Sequence, residues 1–308
     1  MSRKKVLFLG SPDFAASILQ SLIDAQKYTI AAVITQPDKP GKRGKKPQMP
    51  PVKQTALQHG LQVYQPEYIS SQAAIDAIEY LDPQVLAVAA YGQIVPERIL
   101  RIPPWGALNV HASLLPKYRG AAPIQHALIN GEKATGVSIM KMQPSMDTGP
   151  IVLQKAMAID IGDNCQTLHD QLARLGGNLL DRALEKFLAQ DFLGIDQEEE
   201  QASYAPKLSK KDAVVNWEQK AKKIHGQIRA FHPSPGAVYN WGQLKLKINP
   251  GLIGSRLEEK KVPGTILGLV DDYLSIACLD REYLVPKVKP SSSKELTARE
   301  FYNGYLKK

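Results

Sequence analysis

The chain has 308 residues, of which 44% are hydrophobic and 22% are charged, a composition typical of a globular protein long enough to form two domains. No apolar run approaches the length that spans a bilayer, which excludes a helical membrane protein, and the two cysteines, Cys165 and Cys278, match no metal-binding spacing. The net charge of +9 lies wholly in residues 207–308, which carry 19 Lys+Arg against 10 Asp+Glu; this basic third favours a polyanionic partner.

Short apolar runs alternate with helical patterns over the first two-thirds of the chain. The first strand is followed at once by Ser11, Pro12 and Asp13, where Ser11 suits the N-cap of a helix and Pro12 its first position. The alternation predicts an α/β fold with a Rossmann-like, mostly parallel sheet and helices on both faces. We predict strands at Lys5–Leu9, Thr29–Thr35, Gln84–Ala90, Ala107–His111, Gly136–Met142 and Ile151–Ile159, and helices at Ala121–Asn130 and Cys165–Ala189.

The last third has a different pattern. Residues 191–210 combine an acidic cluster with Pro and Lys, which indicates a linker between a domain at 1–190 and a domain at 211–308. Asn216 suits the N-cap of the next helix, and the spacing of Thr297 to Glu300 predicts a capping box for a closing helix. Five short strands with turns between them predict a small β-barrel of the oligonucleotide-binding type; they are Gly236–Trp241, Leu244–Ile248, Gly264–Leu269, Tyr273–Leu279 and Tyr283–Val288.

The densest group of polar side chains in an apolar setting is Asn109, His111 and Ser113, at the end of a predicted strand. Period-two alternation puts all three on one face if the strand continues that far, and ligands bind at the carboxyl ends of strands in open parallel sheets. The pair of Asn109 and His111 suits a catalytic site and, equally, a core where both side chains are hydrogen-bonded internally. Asp147 lies in a turn-rich loop, which suits either a turn former or a catalytic carboxylate.

One long motif bears on these alternatives. Asn109-Val110-His111 continues as Ala-Ser-Leu-Leu-Pro-Lys-Tyr-Arg-Gly, and Met146-Asp147-Thr148-Gly149 follows 26 residues later. This pattern resembles the signature of the folate-dependent formyltransferases. The resemblance extends from Leu7 to about residue 190, and less strongly to the end of the chain. Within the family it is greatest to the members that formylate methionyl-initiator tRNA.

The resemblance implies a formyltransferase catalytic domain at 1–190, with Asn109, His111 and Asp147 as its catalytic residues. Formyl transfer to an amine passes through a tetrahedral intermediate with a developing oxyanion, which donors on Asn109 and His111 can stabilise. The Asp147 carboxylate can relay the proton from the attacking ammonium to the leaving N10. No Ser or Cys nucleophile is needed, because the amine attacks the donor directly.

The resemblance also implies that 10-formyltetrahydrofolate is the formyl donor. The six histidines show no metal-ligand spacing, so we expect no metal. A strand end of small residues that leads into a Gly turn lets a flat ring approach the backbone closely. The residues expected to bind the folate are Tyr91, Gly92, Gln93, Ile94, Ser113, Leu114, Leu115 and Pro116.

Initiator methionyl-tRNA is the acceptor that the resemblance implies. Residues 39–46 hold five basic side chains, which suit the phosphates of an acceptor stem, and the resemblance assigns Arg43 to the end of that stem. The basic domain at 211–308 would hold the tRNA through its surplus charge, although Ser234 stands where the family usually has Trp. The loop residues expected to bind tRNA are Lys39, Lys42, Arg43, Lys45 and Lys46.

Competing interpretations share parts of this pattern. A glycinamide-ribotide formyltransferase would be shorter and lack the basic third, and a sugar-nucleotide formyltransferase would lack the basic loop. A nicotinamide-dependent dehydrogenase would need Gly-x-Gly-x-x-Gly after the first strand, and the chain has Gly-Ser-Pro-Asp there. A non-catalytic RNA-binding protein would leave Asn109, His111 and Asp147 unexplained. We expect a cytoplasmic monomer without a membrane partner.

Overall fold

A computed structural model describes residues 3–40, 47–189, 194–291 and 293–307. The chain forms two compact units. The first unit comprises Met1–Gly120, Thr135–Met157 and His169–Tyr204, and the second comprises Ala121–Ala134, Ala158–Leu168 and Ala205–Lys308. The second unit therefore includes two stretches from the predicted domain at 1–190.

The first unit is built on one seven-stranded, largely parallel sheet. In chain order its strands are β1 (Lys4–Gly10), β2 (Tyr28–Ile34), β3 (Val63–Tyr64), β4 (Val85–Ala89), β5 (Ala107–His111), β6 (Ala134–Lys141) and β7 (Ile151–Ala158). Across the sheet the order is β3-β2-β1-β4-β5-β6-β7. The first five strands run parallel, and β6 runs antiparallel to β5. The predicted α/β fold is confirmed, with each of these strands except the two-residue β3 anticipated to within two residues.

Helices cover both faces of this sheet, as predicted. They are α1 (Asp13–Ala25), α2 (Pro51–Gln58), α3 (Gln72–Leu81), α4 (Glu97–Leu100) and, after α5 (Pro123–Asn130) of the second unit, α6 (Cys165–Leu188). On one face Leu7 and Leu9 of β1 share an apolar cluster with Ile78 of α3. On the other face, Gly176 of α6 approaches Val110 so closely that an added Cβ would lie 2.9 Å from its Cγ1.

The start of α1 differs from the prediction. Pro12 is the N-cap and Asp13 the first helical residue, and Ser11 makes no cap. The Ser11 hydroxyl instead donates to the Tyr91 carbonyl at 3.1 Å and accepts the Gln36 backbone N–H at 3.1 Å. Ser11 therefore joins the segments that follow β1, β2 and β4, at the point where the strand order reverses and where open α/β sheets bind ligands.

The second unit contains two four-stranded antiparallel sheets. Its strands are β8 (Ala237–Trp241), β9 (Leu244–Ile248), β10 (Leu252–Arg256), β11 (Ile266–Val270), β12 (Tyr273–Ala277), β13 (Arg281–Val285), β14 (Lys287–Pro290) and β15 (Leu296–Thr297). The sheet orders are β10-β13-β12-β11 and β15-β14-β9-β8. The helices α7 (Ala221–Phe231) and α8 (Ala298–Phe301) belong to the same unit, together with α5.

The prediction of five strands in this unit was too low. Leu252–Arg256 was missed because most of its side chains are exposed and give no buried, alternating signal. The predicted strand Tyr283–Val288 is two strands, since Pro286 lacks the N–H that a continuous ladder needs.

The two predicted helix starts in this unit had different outcomes. Asn216 is not a helix N-cap: α7 begins at Ala221, and the Asn216 side chain accepts the Glu218 backbone N–H at 3.0 Å in a preceding turn. The capping box of Thr297 and Glu300 is confirmed, with both reciprocal hydrogen bonds present.

Within the described ranges, no helix has the length and apolar character needed to cross a bilayer. The same residues contain no group of three or more His, Cys, Asp or Glu side chains arranged to hold a metal ion. Both cysteines are free thiols, and burial raises the pKa of Cys165 to about 11 and that of Cys278 to about 12.

Candidate active site

The candidate site begins at the carboxyl end of β5. Asn109 and His111 lie on one face of this strand, opposite Met140 and Ser138 of β6. Asn109 is partly exposed, whereas His111 is buried. The strand ends at His111, so Ser113 lies in the turn that follows and not on the strand face. The sequence therefore located the pair of Asn109 and His111 with the true bounds of the strand, and the condition for Ser113 to share their face is not met.

Both nitrogens of His111 face acceptors. Nε2 lies 2.9 Å from the Tyr118 carbonyl oxygen, and Nδ1 lies 3.6 Å from Asp147 Oδ2. A carbonyl can only accept, so Nε2 carries a proton and donates to Tyr118. This geometry directs the other ring nitrogen, Nδ1, towards the Asp147 carboxylate. A second proton on the ring, at Nδ1, would make His111 and Asp147 an ion pair.

The Asp147 carboxylate has a fixed position. Oδ2 accepts the Gly120 backbone N–H at 2.8 Å as well as facing His111. The side chain is 14% exposed, so solvent reaches it only in part. The Asp147 backbone has φ of 54°, in the left-handed region that non-Gly residues seldom adopt. Loop geometry thus aims one carboxylate oxygen at the histidine that the sequence predicted as its partner.

The predicted folate segment after β4 has a firmly anchored backbone and an open surface. The Tyr91 carbonyl accepts from Ser11 Oγ at 3.1 Å and from Gln36 Nε2 at 3.3 Å. Gly92 has φ of 90°, and Ile94 is 80% exposed. A left-handed Gly beside an exposed apolar side chain fits the close approach of a flat ring.

The side chains of Tyr91 and Gln93 are directed inward. Tyr91 is buried, which raises its pKa to about 12, and its hydroxyl has no hydrogen-bond partner among the described residues. The Gln93 amide is occupied by neighbouring backbone, because it accepts the Ile69 N–H at 2.8 Å and donates to the Glu67 carbonyl at 2.9 Å. Of this segment, Gly92 and Ile94 are open to a ligand.

The second predicted folate segment, residues 113–116, is hydrogen-bonded to side chains of β6 and β7. From β7, Gln154 Nε2 donates to the Leu115 carbonyl at 2.9 Å. Ser138 Oγ donates to the Ser113 carbonyl at 2.7 Å and accepts the Leu115 N–H at 3.0 Å. The Ser113 hydroxyl donates to the Lys117 carbonyl at 2.6 Å. Ser113 and Leu115 are buried, while Leu114 and Pro116 are partly exposed. Leu114 and Pro116 are therefore the side chains that a bound molecule could contact.

The predicted tRNA loop is described only at its edge. Lys39 is exposed, and its backbone pairs with Gln48 through hydrogen bonds of 3.0 and 2.9 Å. The other predicted residues of this loop, Lys42, Arg43, Lys45 and Lys46, lie outside the described residues.

The sequence did not reveal that residues of the predicted linker, 191–210, contact the loops of this site. Gln197, Glu199 and Ser203 contact the loops of His111 and Asp147, and Arg119 is hydrogen-bonded to all three. Arg119 belongs to the recognised motif but was given no role. The acidic cluster at 196–200 gave no signal of these contacts, because its composition is also typical of a solvated linker.

Comparisons with known proteins find relatives over nearly the whole chain. Residues 4–184 match the sequence profile described as Formyl transferase, and residues 207–306 match Formyl transferase, C-terminal domain. A protein of Nitratidesulfovibrio vulgaris (strain DP4) named methionyl-tRNA formyltransferase is 44% identical over 307 residues, which cover 98% of this chain and 93% of that protein.

Two solved structures share the fold at low identity. The N-formyltransferase of Helicobacter canadensis, with folinic acid and dTDP-3-aminofucose, gives a TM-score of 0.67 at 17% identity and covers 96% of this chain and 100% of its own. HypX of Aquifex aeolicus, in complex with tetrahydrofolic acid, gives 0.67 at 17% identity and covers 99% of this chain and 48% of its own.

Proposed function

The chain belongs to the formyltransferase family, and we propose that it moves a formyl group from 10-formyltetrahydrofolate to the free amino group of methionyl-initiator tRNA. The product is formylmethionyl-tRNA for translation initiation. The observation that carries the proposal is the cluster of Asn109, His111 and Asp147 at the end of β5, in a chain that is 44% identical over nearly its full length to a protein named for this reaction.

We propose the following roles for the catalytic residues. The amine nitrogen bonds to the formyl carbon, the bond from that carbon to N10 breaks, and the ammonium proton must reach N10. Asn109 and the Nδ1 side of His111, which the Tyr118 carbonyl leaves open, stabilise the developing oxyanion as donors, a contribution of about 3 kcal/mol for one well-aimed group. Asp147 accepts the proton and passes it on, and its contact with Gly120 keeps the carboxylate in place during this transfer.

We propose that the folate lies against the segments after β4 and β5. Gly92 and Ile94 would contact the flat pterin ring, with Leu114 and Pro116 on the neighbouring segment. The Tyr91, Gln93, Ser113 and Leu115 side chains would support these segments from within, because all four are already committed to the interior or to backbone partners.

A basic surface in the second unit supports tRNA as the acceptor. Lys245 and Lys247 of β9 and Lys287 and Lys289 of β14 alternate with buried residues and are exposed. Lys247 and Lys289 are cross-strand partners. Like charges opposite each other repel, and phosphates would relieve that repulsion while releasing counterions. We propose that these lysines and the loop residues 39–46 together bind the tRNA.

We propose that catalysis and tRNA binding belong to separate domains. Residues 1–190 form the catalytic domain, residues 191–210 connect it, and residues 211–308 form a tRNA-binding domain of the oligonucleotide-binding barrel type. We also propose that the protein acts as a cytoplasmic monomer. The three catalytic side chains come from one chain, so the site needs no second copy, and size-exclusion chromatography would test this.

The test of this function is formyl transfer from 10-formyltetrahydrofolate to three acceptors: methionyl-initiator tRNA, glycinamide ribotide and an amino-sugar nucleotide. We expect transfer to the tRNA alone. Arg43→Ala should raise the KM for tRNA, because a phosphate contact is lost, while Arg174→Ala, an exposed arginine of α6, should not. Transfer to a small amine in place of the tRNA would overturn the proposed acceptor and keep the catalytic assignment.

A further inference from the structure

We infer that Gln197 is a positioning residue for the formyl transfer: it holds the Asp147 loop in its working geometry, and it is itself held by Arg119. The inference rests on the proposed function of the site, because it concerns how Asp147 is aimed. The residues involved lie on a stretch that we call the coupling segment, residues 194–204, within the first unit.

The Asp147 loop needs a restraint. Asp147 has φ of 54°, in the left-handed region that residues other than glycine seldom adopt. The surrounding residues 143–146 are exposed and make no buried packing that would impose this conformation. Strained backbone of this kind persists only where neighbouring groups determine it.

Gln197 supplies that restraint with a single amide group. Its Nε2 donates to the Asp147 carbonyl at 2.9 Å and to the Gly149 carbonyl at 2.7 Å. Both protons of the amide are therefore used on the backbone of the catalytic loop, on either side of Thr148. Gly149 allows the close approach of the loop to Lys141, since an added Cβ would lie 1.7 Å from the Lys141 carbonyl oxygen.

Arg119 fixes the orientation of this amide. Its Nε donates to Gln197 Oε1 at 3.1 Å, and its Nη1 lies 2.8 and 2.9 Å from the two carboxylate oxygens of Glu199. Arginine has no acceptor, so the amide oxygen of Gln197 must face Arg119 and its NH₂ must face the two carbonyls. The Arg119 side chain is only 1% exposed while Glu199 is 70% exposed, so the buried guanidinium is an anchor and not a surface charge.

The coupling segment also contacts the backbone that holds His111. Ser203 Oγ accepts the Tyr118 backbone N–H at 2.9 Å, and the Ser203 carbonyl accepts the Arg119 N–H at 2.8 Å. Tyr118 is the residue whose carbonyl holds His111 Nε2, and it too is left-handed, with φ of 62°. One segment thus fixes both His111 and Asp147, which sets the distance between them.

The experiment measures single-turnover formyl transfer to methionyl-initiator tRNA by Gln197→Ala, Asp147→Asn and the double variant. Gln197→Ala should lower the transfer rate by about tenfold to a hundredfold, the loss typical of a catalytic group displaced by up to about 1 Å, with the KM for the folate nearly unchanged. The matched control is Gln201→Ala, an exposed glutamine of the same segment whose amide contacts only Glu198 among the described residues; its rate should equal that of the wild type.

The double variant separates positioning from a general loss of structure. If Gln197 acts through Asp147, its replacement should cost nothing further in the Asp147→Asn background. An equal loss in both backgrounds, or a Gln197→Ala rate equal to that of Gln201→Ala, would overturn the inference. Gln197→Glu, which keeps the size of the side chain but removes both donors, should be slow as well and guards against a packing artefact.

A failure of the proposed function would look different. Wild-type protein without transfer to the tRNA, or Asp147→Asn with full activity, would reject the acceptor or the catalytic assignment before Gln197 is considered. Thermal unfolding midpoints recorded on each variant ensure that the rates compare folded protein. The inference is supported if Gln197→Ala transfers slowly, unfolds at the midpoint of the wild type, and loses no further rate when combined with Asp147→Asn.

Discussion

Two buried histidines, one in each unit, have opposite surroundings. His111 lies between the Tyr118 carbonyl and the Asp147 carboxylate, so both nitrogens face acceptors. His225 of α7 lies 3.1 Å from the Tyr283 hydroxyl, which in turn accepts the Gly251 N–H. Burial first, and then the positive charge of Arg229, lower the pKa of His225 to about 4. The second environment disfavours the charged form of its histidine, whereas the first places a carboxylate beside the ring.

The two histidines also differ in the kind of backbone that carries the groups facing them. The groups that face His111 belong to loops, and both Tyr118 and Asp147 are left-handed. The side chains that face His225, those of Arg229 and Tyr283, belong to α7 and β13, in regular structure. Helices and strands hydrogen-bond their buried backbone groups without strain. Strained loops cost free energy, and they cluster at sites where a side chain is held in one particular position. A buried histidine alone therefore does not indicate a catalytic site, whereas one that faces a carboxylate on a strained loop is a candidate for one.

The largest effect that we expect is on turnover in the first unit. Asn109→Ala removes one donor from the developing oxyanion and should lower kcat by about a hundredfold to a thousandfold. Steady-state formylation of methionyl-initiator tRNA measures this. Asn303→Ala, at an exposed asparagine near the C-terminal end, is the matched control and should leave kcat unchanged. Equal kcat values in the two variants would remove Asn109 from the catalytic group.

An intermediate effect should appear in the pH dependence of stability, through the second unit. The folded protein keeps His225 neutral down to pH of about 4, whereas an unfolded chain binds the proton below its ordinary pKa of 6.5. The unfolded state thus binds more protons between pH 6.5 and 4, and the free energy of unfolding should fall by up to about 3 kcal/mol as the pH is lowered through that window. Urea unfolding at several pH values measures this loss.

His225→Gln should remove that part of the pH dependence, since glutamine does not titrate. His59→Gln replaces an exposed histidine and should leave the pH dependence as it is in the wild type. If both variants keep the full loss between pH 6.5 and 4, another group is responsible and the contrast between the two histidines is wrong for the second unit.

The smallest effect concerns a helix cap in the second unit. Thr297→Ala removes the hydroxyl that accepts the Glu300 N–H at 3.2 Å, and this breaks one of the two reciprocal hydrogen bonds of the capping box. We expect a loss of about 1 kcal/mol in the free energy of unfolding and no change in kcat per folded molecule. Ser71→Ala at α3 breaks a single bond of 3.3 Å without a capping box and should cost less. A larger loss for Ser71→Ala would contradict this order.

Local patterns in the sequence determined much of the fold and the core of the site. Ala107–His111 and Leu244–Ile248 were predicted with their true bounds, because apolar runs and strict alternation are local signals. The helix predicted to end at Asn130 does end there, with Gly131 as a left-handed C-cap. His111 and Asp147 were assigned to one site from a family motif, and periodicity alone left that open.

Only the tertiary structure revealed what aims these residues. Gln197 reaches the carbonyl of Asp147 across 50 positions of the chain, and Arg119 reaches Gln197 across 78. Ser11 was predicted as a helix cap but instead bonds the Tyr91 carbonyl, 80 positions away. Hydrogen bonds between distant segments leave no period or spacing in the sequence, because either partner alone looks like an ordinary polar residue of a loop. The sequence by itself therefore determined which groups are candidates for the chemistry, and the folded chain decided which groups hold them.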